Sequence, residues 1–183
     1  MERIPTRLEG PVLLAPRVFA DERGFFAETF RTSTWAEAGV DVEFVQDNHS
    51  RSRLGTLRGM HFQTAPGQAK LIRCARGRIL DVVADLRRGS PTFGEWEAFE
   101  LDDEAMRQVF VPIGFAHGFC VTSDVADVVY KCSSYFDGAT EAGIAYDDPA
   151  VGIEWPDLEL IVSERDRTAP RLAEIADELP FSA

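Results

Sequence analysis

Proton transfer near neutral pH calls for a group that titrates there, and this chain has only three histidines, His49, His61 and His117. An imidazole with its ordinary pKa of ~6.5 is a usable general base. Two of the three stand in distinctive settings. One is Arg58-Gly59-Met60-His61-Phe62-Gln63; the other is Val111-Pro112-Ile113-Gly114-Phe115-Ala116-His117-Gly118-Phe119. Charge is the second chemical signal. Residues 51–88 hold nine basic side chains, among them Arg58 and Lys70, against Asp81 and Asp85, a net of +7 in a chain whose total is −12. A basic island in an acidic protein suits a local anionic ligand such as a phosphate, or else a set of solvated strand-edge arginines. Neither a Walker-type loop nor G-x-G-x-x-G after a strand is present, so a nucleotide would have to be held by side chains. The net negative charge disfavours general binding to nucleic acid or to an anionic membrane.

These groups must be positioned by a mainly β framework. Short β-branched and aromatic runs alternate with Gly, Pro and Asp turns, the pattern of a sandwich or jelly-roll barrel. Over Val125–Cys132, Ala126, Val128, Tyr130 and Cys132 share one face, with Asp127 and Lys131 opposite, so Tyr130 should point inward. Over Ile79–Leu86, Leu80, Val82, Ala84 and Leu86 form the apolar face and Asp81 and Asp85 the other. Thr34-Trp35-Ala36-Glu37 reads as a capping box with Gly39 closing the helix. Pro170 with Leu172, Ile175, Ala176 and Leu179 predicts a C-terminal helix over about 170–179. A length of 183 residues without repeats or linkers reads as a single domain, 1–183. Three scattered cysteines, no apolar stretch of ~20 residues and no signal-peptide pattern suit a soluble, cytoplasmic protein. Strict alternation would put Arg58 and His61 on opposite faces of one strand. A β-bulge at Gly59 would bring both inward.

The Pro-x-Gly-x-x-His spacing before His117 resembles the second sequence motif of the cupin superfamily. Many cupins hold a metal with His-x-His, a Glu and a later His; here Gly59 stands two before His61, although two histidines and a carboxylate could still make a metal set. A longer ordered series is more specific: Asp21-Glu22-Arg23-Gly24-Phe25-Phe26-Ala27-Glu28, Gln46-Asp47-Asn48, Leu57 to Gln63, Gln68-Ala69-Lys70 and Ser90-Pro91-Thr92-Phe93-Gly94. It continues with Ala116-His117-Gly118-Phe119, Tyr130-Lys131-Cys132, Gly152 to Pro156 and Ser163-Glu164-Arg165-Asp166. From about Pro11 to Asp166 the chain resembles the dTDP-4-dehydrorhamnose 3,5-epimerase family, cupins that act on dTDP-4-keto-6-deoxyhexoses without a metal.

The resemblance implies a cupin-type jelly roll of antiparallel strands with a few short peripheral helices. It implies no metal or other cofactor, and a homodimer in which an N-terminal segment crosses to the partner. Within it, His61 is the catalytic base, oriented by Asp166; Tyr130 is the acid on the opposite face of the sugar; Lys70 and Arg58 lie near the sugar oxygens and diphosphate. Arg23, Phe25 and Glu28 are expected to reach the nucleotide from the neighbouring subunit, with Gln46, Asn48, His117, the aromatic pair Tyr135 and Phe136, and Glu141 completing the substrate site. The chain departs from the family pattern at Phe136, where a second tyrosine is frequent. The His61–Lys70 loop is about one residue short, and 137–141 lacks the usual proline. Metal-dependent cupin enzymes, sugar-nucleotide ketoisomerases and non-catalytic sugar-nucleotide binders are the alternatives.

Overall fold

Alternation makes strands of most of the chain. The computed structural model describes residues 1–183. Its strands begin with β1 (Glu2–Ile4), β2 (Val12–Ala15), β3 (Val18–Asp21), β4 (Gly24–Ala27), β5 (Gln46–Arg53), β6 (Thr56–Gln63) and β7 (Lys70–Arg76). There follow β8 (Arg78–Asp85), β9 (Trp96–Asp102), β10 (Gln108–Val111), β11 (Phe115–Val121), β12 (Val125–Cys132), β13 (Glu141–Gly143) and β14 (Ile161–Val162). Three short helices, α1 (Thr32–Glu37), α2 (Glu164–Arg167) and α3 (Leu172–Ile175), lie outside the sheets. One sheet runs β1-β2-β10-β7-β12-β5 and the other β13-β6-β11-β8-β9, with β14 added to β6. Pairing is antiparallel except for β14, which runs parallel to β6. This is the expected cupin-type jelly roll.

Three apolar layers hold it together. Between the sheets, Ile72, Ile79, Val83, Phe115, Phe119, Val121 and Val128 form the inner core. The outer face of the second sheet (Met60, Phe62, Val82, Ala84, Ala116) is covered by Ile144, Leu172, Leu179 and Phe181 from the C-terminal third. The outer face of the first sheet (Leu14, Leu71, Phe110) is covered by Trp35 and Val40. β11 is therefore buried on both faces along its whole length, and small Ala116 and Gly118 lie on its outer side. On β12 the predicted inward face is the observed one: Ala126, Val128 and Cys132 are wholly buried.

Four local features differ from the sequence reading or go beyond it. Helix α1 begins at Thr32, not beyond a Thr34 cap. Its N-cap is Arg31, which makes no capping side-chain bond because a guanidinium has no acceptor for the first-turn N–H groups; it donates to Glu28 instead. Burial of Trp35, 1% exposed, fixes the helix instead, and Gly39 ends it at φ +92°. The C-terminal helix is a single turn, α3, followed by a 3-10 turn over Ala176–Glu178; Ile175 departs from helical geometry at φ −119°. Pro170 lies before the N-cap Arg171, whose N–H donates to Glu174 at 2.7 Å.

The third, left open by alternation, is the surroundings of the acidic side of β8. Its acidic face does not meet water, because Asp81 and Asp85 are both fully buried. The face opposite Val82 and Ala84 is the inside of the barrel, and alternation alone cannot tell a second interior from solvent. The fourth is Arg87, which reads as a surface residue but pairs with Asp85 at 2.8 Å and lies over the Phe115 ring. Ser90 and Thr92 also donate to Asp85, at 2.6 and 2.7 Å, which accounts for the Ser90-Pro91-Thr92-Phe93-Gly94 segment as a carboxylate-binding turn.

Candidate active site

Gly59 sets the aim of the second sheet's contribution. In the β6–β11 ladder His61 faces His117 and Arg58 faces Phe119, so Gly118 alone opposes Gly59 and Met60. This is the anticipated bulge. Gly59 has φ +139°, and a Cβ there would lie 2.5 Å from Gly118 Cα, so only glycine fits. With one extra residue in the strand, Met60 goes to the outer core while Arg58 and His61 both line one cavity of about 550 Å³.

Asp166 reaches His61 from α2. The Ser163 hydroxyl caps that helix by accepting the Asp166 N–H at 3.1 Å. His61 Nε2 lies 2.7 Å from Asp166 Oδ1, and the Gly59 N–H donates to Oδ2 at 3.4 Å. Burial by itself would raise the Asp166 pKa. Hydrogen bonding and attraction from His61, then the Gly59 N–H and the Ser163 contact, outweigh it and hold the carboxyl below its ordinary value. An ionised Asp166 requires the proton on Nε2 and leaves Nδ1 as the basic nitrogen.

The opposite wall comes from the first sheet. Tyr130 on β12 lies between Asn48 of β5 and Ile72 of β7. Burial raises its pKa, helped by Cys132 and Glu141 and opposed by Arg58 and Asn48, so the phenol keeps its proton at neutral pH. Lys70 faces Cys132 across the β7–β12 ladder and lines the cavity; burial pushes its ammonium pKa down. Arg58 Nε donates to Ser52 Oγ at 3.1 Å. Glu141, on the cavity wall, is paired with Arg165. His117 Nε2 lies 2.8 Å from Asp81 Oδ2.

The structure thus brings together His61, Asp166, Tyr130, Lys70, Arg58, His117 and Glu141 around one cavity. Gln46 and Asn48 stand beside it on β5: Gln46 Nε2 donates to Asn48 Oδ1 at 3.1 Å, and Gln46 Oε1 accepts the Phe136 N–H at 2.9 Å. Tyr135 and Phe136 extend from this rim into solvent, 73% and 57% exposed. Arg23, Phe25 and Glu28 are not in the cavity of their own chain. Arg23 pairs with Asp21 and Glu28 with Arg31, in and after the detached β3–β4 hairpin. Sequence reasoning missed Asp81, Ser50, Ser163 and Arg165. The Ser163-x-x-Asp166 spacing, an N-cap signature, could have found the start of α2. No three His, Cys, Asp or Glu side chains converge as a metal site requires. A second concavity of about 560 Å³, between Arg7, Trp96 and Val151, is lined by Glu95 and Glu97 but by no histidine or tyrosine.

A jelly-roll barrel with a histidine–aspartate pair on one wall and a protonated phenol on the other defines a cupin-type isomerase that works by moving protons. The pattern of the dTDP-4-dehydrorhamnose 3,5-epimerase family matches residues 5–174, and the chain belongs to that family. It is 49% identical over 175 residues to the dTDP-4-dehydrorhamnose 3,5-epimerase of Methanothermobacter thermautotrophicus, covering 93% of this chain and 94% of that one. It is also 43% identical to the dTDP-4-dehydrorhamnose 3-epimerase of Streptomyces niveus, covering 94% and 84%. The crystal structure of dTDP-6-deoxy-D-glucose-3,5-epimerase from Legionella pneumophila, in complex with dTDP-4-keto-L-rhamnose, superposes with a TM-score of 0.96 at 41% identity, covering 100% of this chain and 98% of that one.

Proposed function

We propose that this chain epimerises a dTDP-4-keto-6-deoxyhexose at C3, C5 or both. The observation that carries the reading is the pairing, across one cavity, of a histidine held by an ionised carboxylate with a tyrosine kept protonated by burial. The C4 ketone acidifies the hydrogens on both neighbouring carbons. His61 Nδ1 takes one of them, and the C–H electron pair moves into the ring as the C4 oxygen becomes an enolate. Asp166 stabilises the imidazolium formed. Tyr130 then delivers its proton to the other face of the same carbon, the enolate collapses to the ketone, and the centre is inverted. Solvent returns a proton to the phenolate and removes one from the imidazolium. Lys70 supplies a charge whose benefit is greatest where water is excluded, and Arg58 offers a planar fork for a phosphate.

The β3–β4 hairpin supports the reading of a homodimer with shared sites. It pairs only with itself, and Phe19, Phe25 and Phe26 are 50%, 60% and 70% exposed. Covering an exposed phenylalanine gains up to ~1.5–3 kcal/mol, so a partner subunit would gain from the contact. In that arrangement Arg23 exchanges Asp21 for a substrate phosphate, Phe25 stacks on the base, and Glu28 meets a ring N–H or hydroxyl. Cysteines 74, 120 and 132 are all free, which fits a reducing, cytoplasmic setting.

Incubation with dTDP-4-keto-6-deoxyglucose in deuterated water tests the reading. Deuterium at C5 and C3 with inversion is expected of a double epimerase, and deuterium at C3 alone of a mono-epimerase. Absence of exchange at either carbon would overturn it.

A further inference from the structure

The cavity contains a second histidine–carboxylate pair that the proton-transfer steps leave unused. His117 on β11 faces His61 directly across the ladder, and the two rings belong to the same wall. Its Nε2 is 2.8 Å from Asp81 Oδ2. Asp81 is wholly buried on β8, and its second oxygen, Oδ1, has no hydrogen-bond partner at all. A buried carboxylate with a bare oxygen is costly to the fold unless a positive charge answers it. Two cations are close enough to do so: Lys70 on β7, which feels the Asp81 charge, and His117 if its ring is protonated. The other charged or titrating groups around the cavity are His61 and Arg58 on β6, Tyr130 on β12, Glu141 on β13, and Asp166 and Arg165 on α2. Glu141 and Asp166 are answered by Arg165 and His61 respectively.

We propose that Asp81 is a positioning residue for His117: by accepting the Nε2–H it turns that nitrogen away from the cavity, leaves Nδ1 as the nitrogen that meets the bound sugar nucleotide, and holds the ring as a cation that donates to the substrate oxygen on which negative charge develops. The proposal rests on the epimerase reading for its last step and on local geometry for the first two. It gives the two histidines of one wall opposite tasks. His61, tied to a carboxylate that also accepts the Gly59 N–H, offers a lone pair. His117, tied to a carboxylate with no other partner, offers a proton.

Two measurements decide it. In the wild-type protein without substrate, long-range 15N–1H spectra of the imidazoles should find His117 protonated on both nitrogens at neutral pH, and Asp81→Asn should remove the charge. In turnover, Asp81→Asn should lower kcat by roughly 10²-fold, the scale of one lost oxyanion donor, with KM little changed. Asp81→Asn/His117→Asn should lose no more than the His117→Asn single variant, because the two act as a unit. A neutral His117 in the wild type, an unchanged His117 spectrum in folded Asp81→Asn, a loss confined to KM, or additive losses in the double variant would each overturn the proposal. If wild-type protein fails to exchange deuterium into dTDP-4-keto-6-deoxyglucose, the epimerase reading falls, and the wild-type spectrum still decides whether Asp81 holds His117 as a cation.

Discussion

His61 and Tyr130 stand on different sheets of the barrel, His61 on β6 and Tyr130 on β12, and both line the same cavity. Inversion of a carbon needs one proton to leave and another to arrive from the opposite side. A sandwich supplies two opposed walls by construction, so base and acid need only be placed on inward positions of strands from different sheets.

With His61 as the proposed base, its replacement should stop the first step at both carbons. His61→Ala is expected to lower solvent exchange at C3 and C5 by at least ~10²-fold, the lower end of what a general base contributes. Deuterium incorporation followed by NMR checks this. A folded variant keeping a tenth of the wild-type rate would remove His61 from the role.

Tyr130→Phe should separate exchange from inversion. His61 can still remove a proton and return one to the same face, so deuterium should enter while the yield of epimer collapses. Equal losses of the two would place Tyr130 in binding or in folding.

Lys70 should cost the fold stability while serving the site. Burial lowers its pKa in the folded state. Below that folded pKa the full penalty of a buried ammonium is present. Between the folded value and the ordinary ~10.4 the unfolded chain holds the extra proton, so stability rises with pH across that interval. Lys70→Met should therefore raise Tm at neutral pH and depress kcat, and the Tm advantage should shrink as pH rises through the interval. A lower Tm for the variant at neutral pH would contradict this sign.

Shared sites should allow two damaged chains to rescue each other. In the proposed dimer, Arg23→Ala and His61→Ala proteins should both be impaired, while a verified heterodimer of the two carries one site free of both lesions and another with both. Partial recovery on subunit exchange is expected. No recovery in confirmed heterodimers would place Arg23 and His61 in one subunit's site.

Alternation made the inward face of β12, and with it Tyr130, legible from sequence, and the glycine in β6 made the bulge legible because no other residue is so often found where a strand must break phase. Long-range partners were less accessible. His61 and Asp166 are 105 positions apart, and their pairing came from family resemblance, since no local pattern links a strand residue to a distant one-turn helix. The surroundings of Asp81 were not legible: alternation puts it opposite an apolar face, and only the presence of the facing sheet turns that side into an interior. The ends of α1 and α3 were misjudged because burial of Trp35, Leu172 and Leu179 governs these short helices more than their caps do.

The Gly59 bulge makes the chemistry a matter of parity. From Arg58 to His61 is an odd number of steps, and a regular strand would show the two residues to opposite sides. Excision of Gly59 alone would keep every other residue, yet restore even counting along β6. Two steps would then separate Arg58 from His61, and a regular strand would still turn both into the cavity with Met60 outward. Flattening the bulge with Gly59 kept would do the opposite: it would leave a barrel with the full complement of reactive groups in its sequence and no longer all of them in one chamber.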